Sequence, residues 1–255
     1  MKQLLNNWLK NSHLLNFRLN TGILRQAIFK QHCLLCTSSD ANNQAICVAC
    51  LADLPWSPQT SCPQCGLASN GIVCGSCLNS QPDFDATKAV FLYTYPVDAM
   101  MLRYKYGNML ILGDTFGEFL AEKSALGALN HNDVDLIIPM PMHPQRLKQR
   151  GFNQALEIAK VLTKNCKEKL DYNSVERQTL TPPQASLPLK ARVKNIKGAF
   201  KVNADKLDKL QGKRIAIIDD VMTTGASLNE LAKTLKKAGA AHVECWVVAR
   251  TLPPK

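Results

Sequence analysis

Ile215-Ala216-Ile217-Ile218-Asp219-Asp220-Val221-Met222-Thr223-Thr224-Gly225 is the stretch on which the fold of this chain turns. Four consecutive apolar residues suit a parallel strand covered on both faces. Two adjacent carboxylates follow at the carboxyl end, where open α/β sheets gather their chemistry. Thr223, Thr224, Gly225, Ala226 and Ser227 then offer hydroxyls and approachable backbone N–H groups where a helix begins, which is a pocket for a phosphate. Carboxylates beside such a pocket suit a sugar phosphate: they accept from vicinal ribose hydroxyls while the loop holds the 5′-phosphate. A Walker B strand also ends in acids, but the chain has no G-x-x-x-x-G-K-[ST] to accompany one. A purely structural strand–turn–helix has no need of adjacent Asp219 and Asp220, whose like charges repel unless something bridges or solvates them.

Working outward, apolar strands alternate with helical stretches, the pattern of a parallel sheet. Strands are expected at Ala89–Tyr95, Val134–Pro139, Arg214–Ile218 and Val243–Val248. Helices are expected at Val97–Tyr106, Ile111–Lys123, Gly151–Lys164 and Ser227–Ala238, the last closed by Gly239. Residues 178–198 are long, polar and proline-containing and read as a mobile loop. The segment from Ile138 to Gln154 follows a strand and precedes a helix, and places Arg146, Lys148 and Arg150 beside Gly151. Three cations at a helix opening suit a multiply charged anion, although a solvated basic loop would read the same way.

Ahead of this domain lie four C-x-x-C pairs: Cys33/Cys36, Cys47/Cys50, Cys62/Cys65 and Cys74/Cys77. A two-residue gap lets both thiolates of a knuckle turn onto one ion, and two knuckles complete a tetrahedral Cys₄ site. Two closed, structural Zn²⁺ sites are therefore expected, with tandem and cross-brace pairing both satisfying the ligands. A disulfide framework is the rival, and a reducing compartment disfavours it. Gly66 and Gly75 adjoin knuckle cysteines, where positive φ is often needed. Few basic residues lie between the knuckles, so this module by itself has no electrostatic grip on nucleic acid. Pro55, Trp56 and Pro58 form an apolar corner expected to pack on the neighbouring domain. Cys245 reads as a small core residue, and Cys166 has no evident role.

The net charge of +11 is concentrated: residues 1–85 carry +1 and the remainder +10. That asymmetry suits anionic partners such as sugar phosphates or nucleic acid, although a solvated lysine-rich face (Lys233, Lys236, Lys237) would produce it too. No apolar run approaches the ~20 residues needed to span a bilayer, so no membrane insertion is expected. Residues 1–30 lack a compact apolar core before a small-residue cleavage site, and with Leu4, Leu5, Trp8 and Leu9 at helical spacing they read as a helical extension. A cytoplasmic protein is expected, organised as that extension, a Cys-rich module over 31–80 and an α/β domain over 86–255.

The strand–loop run with Ala226 and Ser227 resembles the phosphoribosyl-pyrophosphate (PRPP) signature of type I phosphoribosyltransferases. The Cys-rich head, Lys105-Tyr106-Gly107, the R-x-x-x-R-G-F-N-Q run, a Q-x-x-L…R-x-x-N-x-x-G-A-F stretch (Gln184, Leu187, Arg192, Asn195, Gly198, Ala199, Phe200) and the D-D-V-x-T-T-G loop occur in that order. As a set, spanning roughly residues 31–250, they resemble the ComF family. The resemblance implies a type I phosphoribosyltransferase-like parallel sheet behind a double zinc ribbon. It implies PRPP or a similar ribose phosphate held with Mg²⁺, and a cytosolic role in natural competence that touches single-stranded DNA and DNA-uptake proteins. Some relatives are linked instead to carbohydrate utilisation. It would give Asp219, Asp220, Val221, Met222, Thr223, Thr224, Gly225, Ala226 and Ser227 to PRPP, and Arg146, Arg150 and Gly151 to pyrophosphate. Lys105 and Arg192 become the candidates for catalysis, the latter arriving as its loop closes. In one departure, Thr223 stands where 6-oxopurine transferases carry an aspartate base, which disfavours purine salvage. Three readings stay open: a competence factor that binds PRPP, an active transferase on an unidentified base, and a zinc-ribbon adaptor with an inert α/β domain.

Overall fold

The computed structural model describes residues 32–39, 41, 45–107, 109–123, 134–165, 169–180 and 196–253. The expected helical extension over 1–30, Cys166, and most of the 178–198 loop with Gln184, Leu187, Arg192 and Asn195 lie outside the described residues. The chain divides into two compact units, Met1–Leu54 and Pro55–Lys255. The boundary therefore falls between the second and third cysteine knuckles.

Among its described residues the first unit contains the knuckles at Cys33/Cys36 and Cys47/Cys50 and a short helix, α1 (Val48–Ala52). The second opens with Pro55–Ser57 running antiparallel to the start of the sheet. Leu92 N–H donates to Pro55 O at 2.7 Å and Ser57 N–H to Val90 O at 2.9 Å. Trp56 packs on Phe91 and Phe119 at ring-centroid distances of 4.7 and 5.7 Å, so the expected apolar corner is used for packing. The remaining knuckles follow with helix α2 (Gly75–Asn79).

In chain order the α/β body then runs β1 (Ala86–Leu92), α3 (Val97–Tyr106), α4 (Ile111–Lys123), β2 (Leu136–Pro139), α5 (Pro144–Arg150), α6 (Gln154–Leu162), β3 (Lys169–Leu170) and β4 (Val175–Arg177). It continues with β5 (Phe200–Val202), α7 (Leu207–Leu210), β6 (Arg214–Met222), α8 (Ala226–Lys237) and β7 (His242–Arg250). Five strands form a wholly parallel sheet in the order β1-β7-β6-β2-β3, and β4 and β5 pair antiparallel beside it. The expected parallel α/β architecture is borne out.

Burial explains why these residues make these elements. Ile215, Ala216, Ile217 and Ile218 have no exposed surface, as expected for a strand covered on both sides. Ile215 and Ile217 share a core with Val243, Cys245 and Val247 of β7 and with Leu228, Leu231 and Leu235 of α8. Those α8 residues recur at helical spacing, one buried stripe on a helix otherwise rich in lysine. By strand alternation Ala216, Ile218 and Trp246 face the other way, and they are equally buried. Helices α4 and α6 also pack on the sheet.

Several boundaries differ from expectation: β1 runs Ala86–Leu92 rather than Ala89–Tyr95, and α6 runs Gln154–Leu162 rather than Gly151–Lys164. β6 does not stop at Ile218 but runs through both aspartates to Met222, because β7 pairs alongside it as far as Met222↔Arg250. Pairing overrides the poor strand propensity of aspartate. The basic segment expected as loop contains a helix, α5. His143 Nδ1 caps it by accepting from Gln145 N–H at 3.2 Å, Pro144 occupies the first turn, and Gly151 closes it at φ 85°.

Candidate functional site

Strand order places the site. From β2 the chain continues toward β3 at one edge, and from β6 it continues toward β7 and the other edge, so the connections diverge between β2 and β6. Ligands of open α/β sheets bind at such a switch point, beyond the carboxyl ends of the strands. Pro139 pairs with Ile218, and Met140 N–H donates to Ile218 O at 2.8 Å. The basic segment therefore leaves the sheet directly beside Asp219.

The two carboxylates have unlike surroundings. Successive residues of a strand face opposite sides, which separates two charges that the sequence places side by side. Asp220, 9% exposed, meets Lys105 from α3, with Nζ 2.9 Å from Oδ2. Burial opposes the Lys105 ammonium, but the charge and hydrogen bond of Asp220 hold its pKa above the ordinary value. Asp219 has no such partner among the described ion pairs. Its Oδ1 accepts from Asp220 N–H at 2.9 Å. Burial and the charge of Asp220 push its carboxyl up to about 7, with Lys105 and Arg177 only partly opposing them. A site thus holds one acid paired with an ammonium beside one poised near neutrality.

The loop that follows is built for close approach. Gly225 sits at φ 80° and opens α8, and a Cβ there would lie 2.7 Å from Met222 Cε. The positive φ is what requires glycine, since the methionine tip could shift aside. Thr224 Oγ1 accepts from Ala226 N–H at 3.3 Å, and the twelve-residue α8 directs its N-terminal dipole into the same turn.

On the β2 side, Arg146 and Arg150 lie on α5. Burial and the neighbouring Arg150 charge lower the pKa of Arg146, so this is a site of concentrated positive charge. Arg150 stacks over Tyr106 at 5.1 Å, donates to Tyr106 Oη at 3.3 Å and to Gln154 Oε1 at 2.9 Å. Tyr106 directly follows Lys105. Tyr104 Oη donates to Gln154 O at 3.1 Å, fixing the end of α3 against the start of α6. Lys105, Arg146, Arg150, Gly151 and Asp219–Ser227, singled out separately in the sequence, thus sit on adjoining elements around one strand junction, while Arg192 lies outside the described residues.

Sequence reasoning missed Arg177. It ends β4, packs over Phe200 at 5.6 Å and interacts electrostatically with both Arg146 and Asp219. Its only sequence signal was a lone basic residue before the long polar loop. A cleft of about 530 Å³ opens beside α5, lined in part by Pro141, His143, Phe152, Tyr172 and Arg177.

The eight knuckle cysteines form two tetrads in tandem, Cys33/Cys36/Cys47/Cys50 and Cys62/Cys65/Cys74/Cys77. Within each, all ligand sulfurs lie within 4.8 Å of one another. Closest approaches of 3.6 Å, Cys36 to Cys47 and Cys65 to Cys74, match the edge of about 3.8 Å that four 2.3 Å Zn–S bonds would give. They are far too long for disulfides. Backbone donors also face the sulfurs: Leu35 N–H to Cys33 Sγ at 3.5 Å and Cys74 N–H to Cys62 Sγ at 3.3 Å. Both tetrads fit a closed, structural zinc site. In the knuckle turns Gly66 takes φ 71° as expected, Thr37 takes φ 62°, and Gly75 instead opens α2.

Comparison with known proteins agrees with this geometry. Residues 147–252 match the phosphoribosyl transferase domain family and residues 24–78 the double zinc ribbon domain family. The chain is thus a double zinc ribbon joined to a phosphoribosyltransferase-like α/β domain. Competence protein F of Haemophilus influenzae is 30% identical over 227 residues, covering 87% of this chain and 98% of that protein. DNA utilization protein YhgH of Escherichia coli K12 is 30% identical, covering 86% and 97%. Competence protein ComFC of Streptococcus pneumoniae R6 is 24% identical, covering 82% and 89%. The chain belongs to the ComF family of competence proteins.

Among the described residues no helix is long and apolar enough to cross a membrane.

Proposed function

We propose that the α/β domain binds PRPP or a closely related ribose phosphate, and that the protein assists natural competence in the cytoplasm by helping to handle single-stranded DNA. The observation that carries the ligand reading is the convergence at one switch point of a strand-end carboxylate pair, a helix-opening loop of small residues, and the cationic α5 on the adjacent strand's connection. Asp219 and Asp220 would accept from the ribose hydroxyls, and Thr223 to Ser227 would hold the 5′-phosphate through hydroxyls and backbone N–H groups. Arg146, Arg150 and Gly151 would take the pyrophosphate end, with Lys105 between the two sides. The two carboxylates are hard oxygen donors that fit Mg²⁺, which when bound would neutralise charge on the diphosphate. The competence role is supported by the names of the relatives, and the basic balance of the α/β domain suits a nucleic-acid partner.

A second reading, an active transferase, is favoured by the cleft beside α5, which is large enough for an acceptor. In that reaction the C1′–O bond breaks and pyrophosphate leaves with the electron pair. The acceptor nitrogen closes on C1′ and releases its proton to solvent, while Arg146, Arg150 and Lys105 stabilise the departing charge.

Calorimetry with PRPP, with and without Mg²⁺, tests the ligand. Saturable binding is expected, weakened about ten-fold or more in Asp219→Asn, since a charged hydrogen bond is removed. A wild-type protein that takes no PRPP would leave the adaptor reading standing. Pyrophosphate release against a panel of bases separates binding from turnover. Single-stranded DNA affinity should fall steeply with salt if the domain's cations make the contact.

A further inference from the structure

The second cysteine tetrad and the Thr223–Ser227 loop share one side chain. Arg250 is the last residue of β7, is 6% exposed, and has its guanidinium inside the body. Its Nε donates to Cys65 O at 2.9 Å. Its Nη1 donates to Met222 O at 3.0 Å, to Thr223 O and to Thr251 O at 3.1 Å. One face of the fork thus holds a metal-knuckle carbonyl, and the other holds the carbonyls at which β6 turns into the candidate phosphate loop.

The knuckle end of this link is itself held. Thr87 N–H from β1 donates to Pro63 O at 2.9 Å, and Gly66 N–H to Cys62 O at 2.9 Å. A Cβ at Gly66 would come within 3.0 Å of Thr87 Cγ2, so the turn lies directly against the strand. With an ion on Cys62, Cys65, Cys74 and Cys77, the carbonyl of Cys65 has a fixed position. Without one, the short segment has little packing besides Leu67 and Val73 to hold it.

The loop end has a geometric consequence. In a trans peptide the C=O of one residue and the N–H of the next point in opposite directions. Met222 O is also held by Thr251 N–H at 3.1 Å as the β6–β7 ladder continues, so what Arg250 adds falls on Thr223 O. Drawing that carbonyl onto Arg250 turns the N–H of Thr224 away from it. The direction of that donor is thus set by a residue that a ligand on the loop need never touch.

We infer that Arg250 is a positioning residue that couples occupancy of the second Cys₄ site to the conformation of the phosphate loop. The consequence for ligand affinity rests on the PRPP reading above; the structural coupling does not. Coupling of this kind is reciprocal: if metal favours the ligand-competent loop, ligand retains the metal.

The test uses the full zinc-loaded chain with excess chelator. Differential alkylation of cysteines, resolved by peptide mass, reports metal loss from each tetrad separately. Saturating PRPP is expected to slow loss from Cys62/Cys65/Cys74/Cys77 about ten-fold, within the usual range for such couplings. Loss from Cys33/Cys36/Cys47/Cys50, in the other unit, should be unchanged. Arg250→Met should remove the difference. Equal kinetics for the second tetrad with and without bound PRPP would overturn the inference, and this arm needs no variant to fold. Amide hydrogen exchange without PRPP gives an independent reading. Emptying the second tetrad should accelerate exchange at Met222–Ser227 before it does so at Ile215–Ile218. An unchanged loop would sink the coupling, whereas failure of PRPP to bind at all would sink only the ligand assignment.

Discussion

Asp219→Asn is expected to raise thermal stability while Asp220→Asn lowers it, although both should weaken ligand binding. The carboxyl of Asp219 is held well above its ordinary range, near 7, by burial and by the charge of Asp220. A group whose folded pKa is raised makes its acid form the favourable one. Its contribution is harmless below the unfolded value near 4 and becomes increasingly unfavourable as pH climbs to 7, beyond which it is constant. Asparagine removes that penalty. The gain over wild type should be absent near pH 4, grow between pH 4 and 7, and level off at about 2 kcal/mol, or roughly 4–8 °C in midpoint. That is roughly half of what the full rise in pKa is worth, because Asp219 is only partly buried and asparagine stays polar there. At Asp220 the opposite holds. Its carboxylate accepts the Lys105 ammonium at 2.9 Å with both side chains largely enclosed. Removing one partner strands a charge, costing about 3 kcal/mol, of which relief of Asp219 returns a part. Thermal melts of both variants at pH 4.5 and pH 8 check the pair. Equal destabilisation by the two substitutions would mean that the strand does not separate them as described. A carboxylate that costs stability where no fold requires it is the expected mark of a functional site.

How far the sequence exposed this site depended on whether the signal was local. Ile215–Ile218 announced a doubly covered strand, and Thr223-Thr224-Gly225 a helix opening, because each is written in neighbouring residues. Alternating apolar segments announced the parallel sheet for the same reason. The ends of β6 were not legible: two aspartates argue against a strand, and only β7 running alongside to Arg250 carries it on to Met222. Helix α5 was hidden by its own charge, although Pro144 and Gly151 bracket it as a start and a stop. Lys105 could be marked as cationic, but that its ammonium rests on Asp220 follows from long-range packing of α3. Arg177 and Arg250 were invisible for a different reason. Neither lies in a recognisable run, and what each does depends on partners up to 185 residues away. Tandem pairing of the knuckles, which spacing left open, is settled by the short segments between Cys36 and Cys47 and between Cys65 and Cys74 bringing sulfurs to 3.6 Å.

The two cysteine tetrads look equivalent in sequence, yet their loss should have unlike effects. Cys62, Cys65, Cys74 and Cys77 lie in the same compact unit as the sheet, whereas Cys33, Cys36, Cys47 and Cys50 lie in the other. The second tetrad meets the body at Thr87, which donates to Pro63 O, at Gly66 against Thr87, and at Arg250, which donates to Cys65 O. Structural zinc contributes folding free energy outright, apparent values for zinc-finger peptides being about 10–16 kcal/mol. Part of that contribution is transmitted wherever the ribbon and the body share buried hydrogen bonds. Cys77→Ser, by breaking the second site, should leave Arg250 with a mobile acceptor and its charge less well satisfied. We expect a loss of about 3 kcal/mol from the α/β body, or roughly 6–12 °C. Cys50→Ser should unfold the first unit and leave the body's transition within about 1 °C. Trp246, fully buried and donating to Glu244 Oε2 at 2.9 Å, reports the body's transition by fluorescence. Bound metal per chain, measured on each variant, should fall from two ions to one in both. Equal shifts of the body transition in Cys50→Ser and Cys77→Ser would contradict the division of the chain between its two ribbons. A shift confined to Cys77→Ser would show that the second ribbon has become part of the domain it precedes.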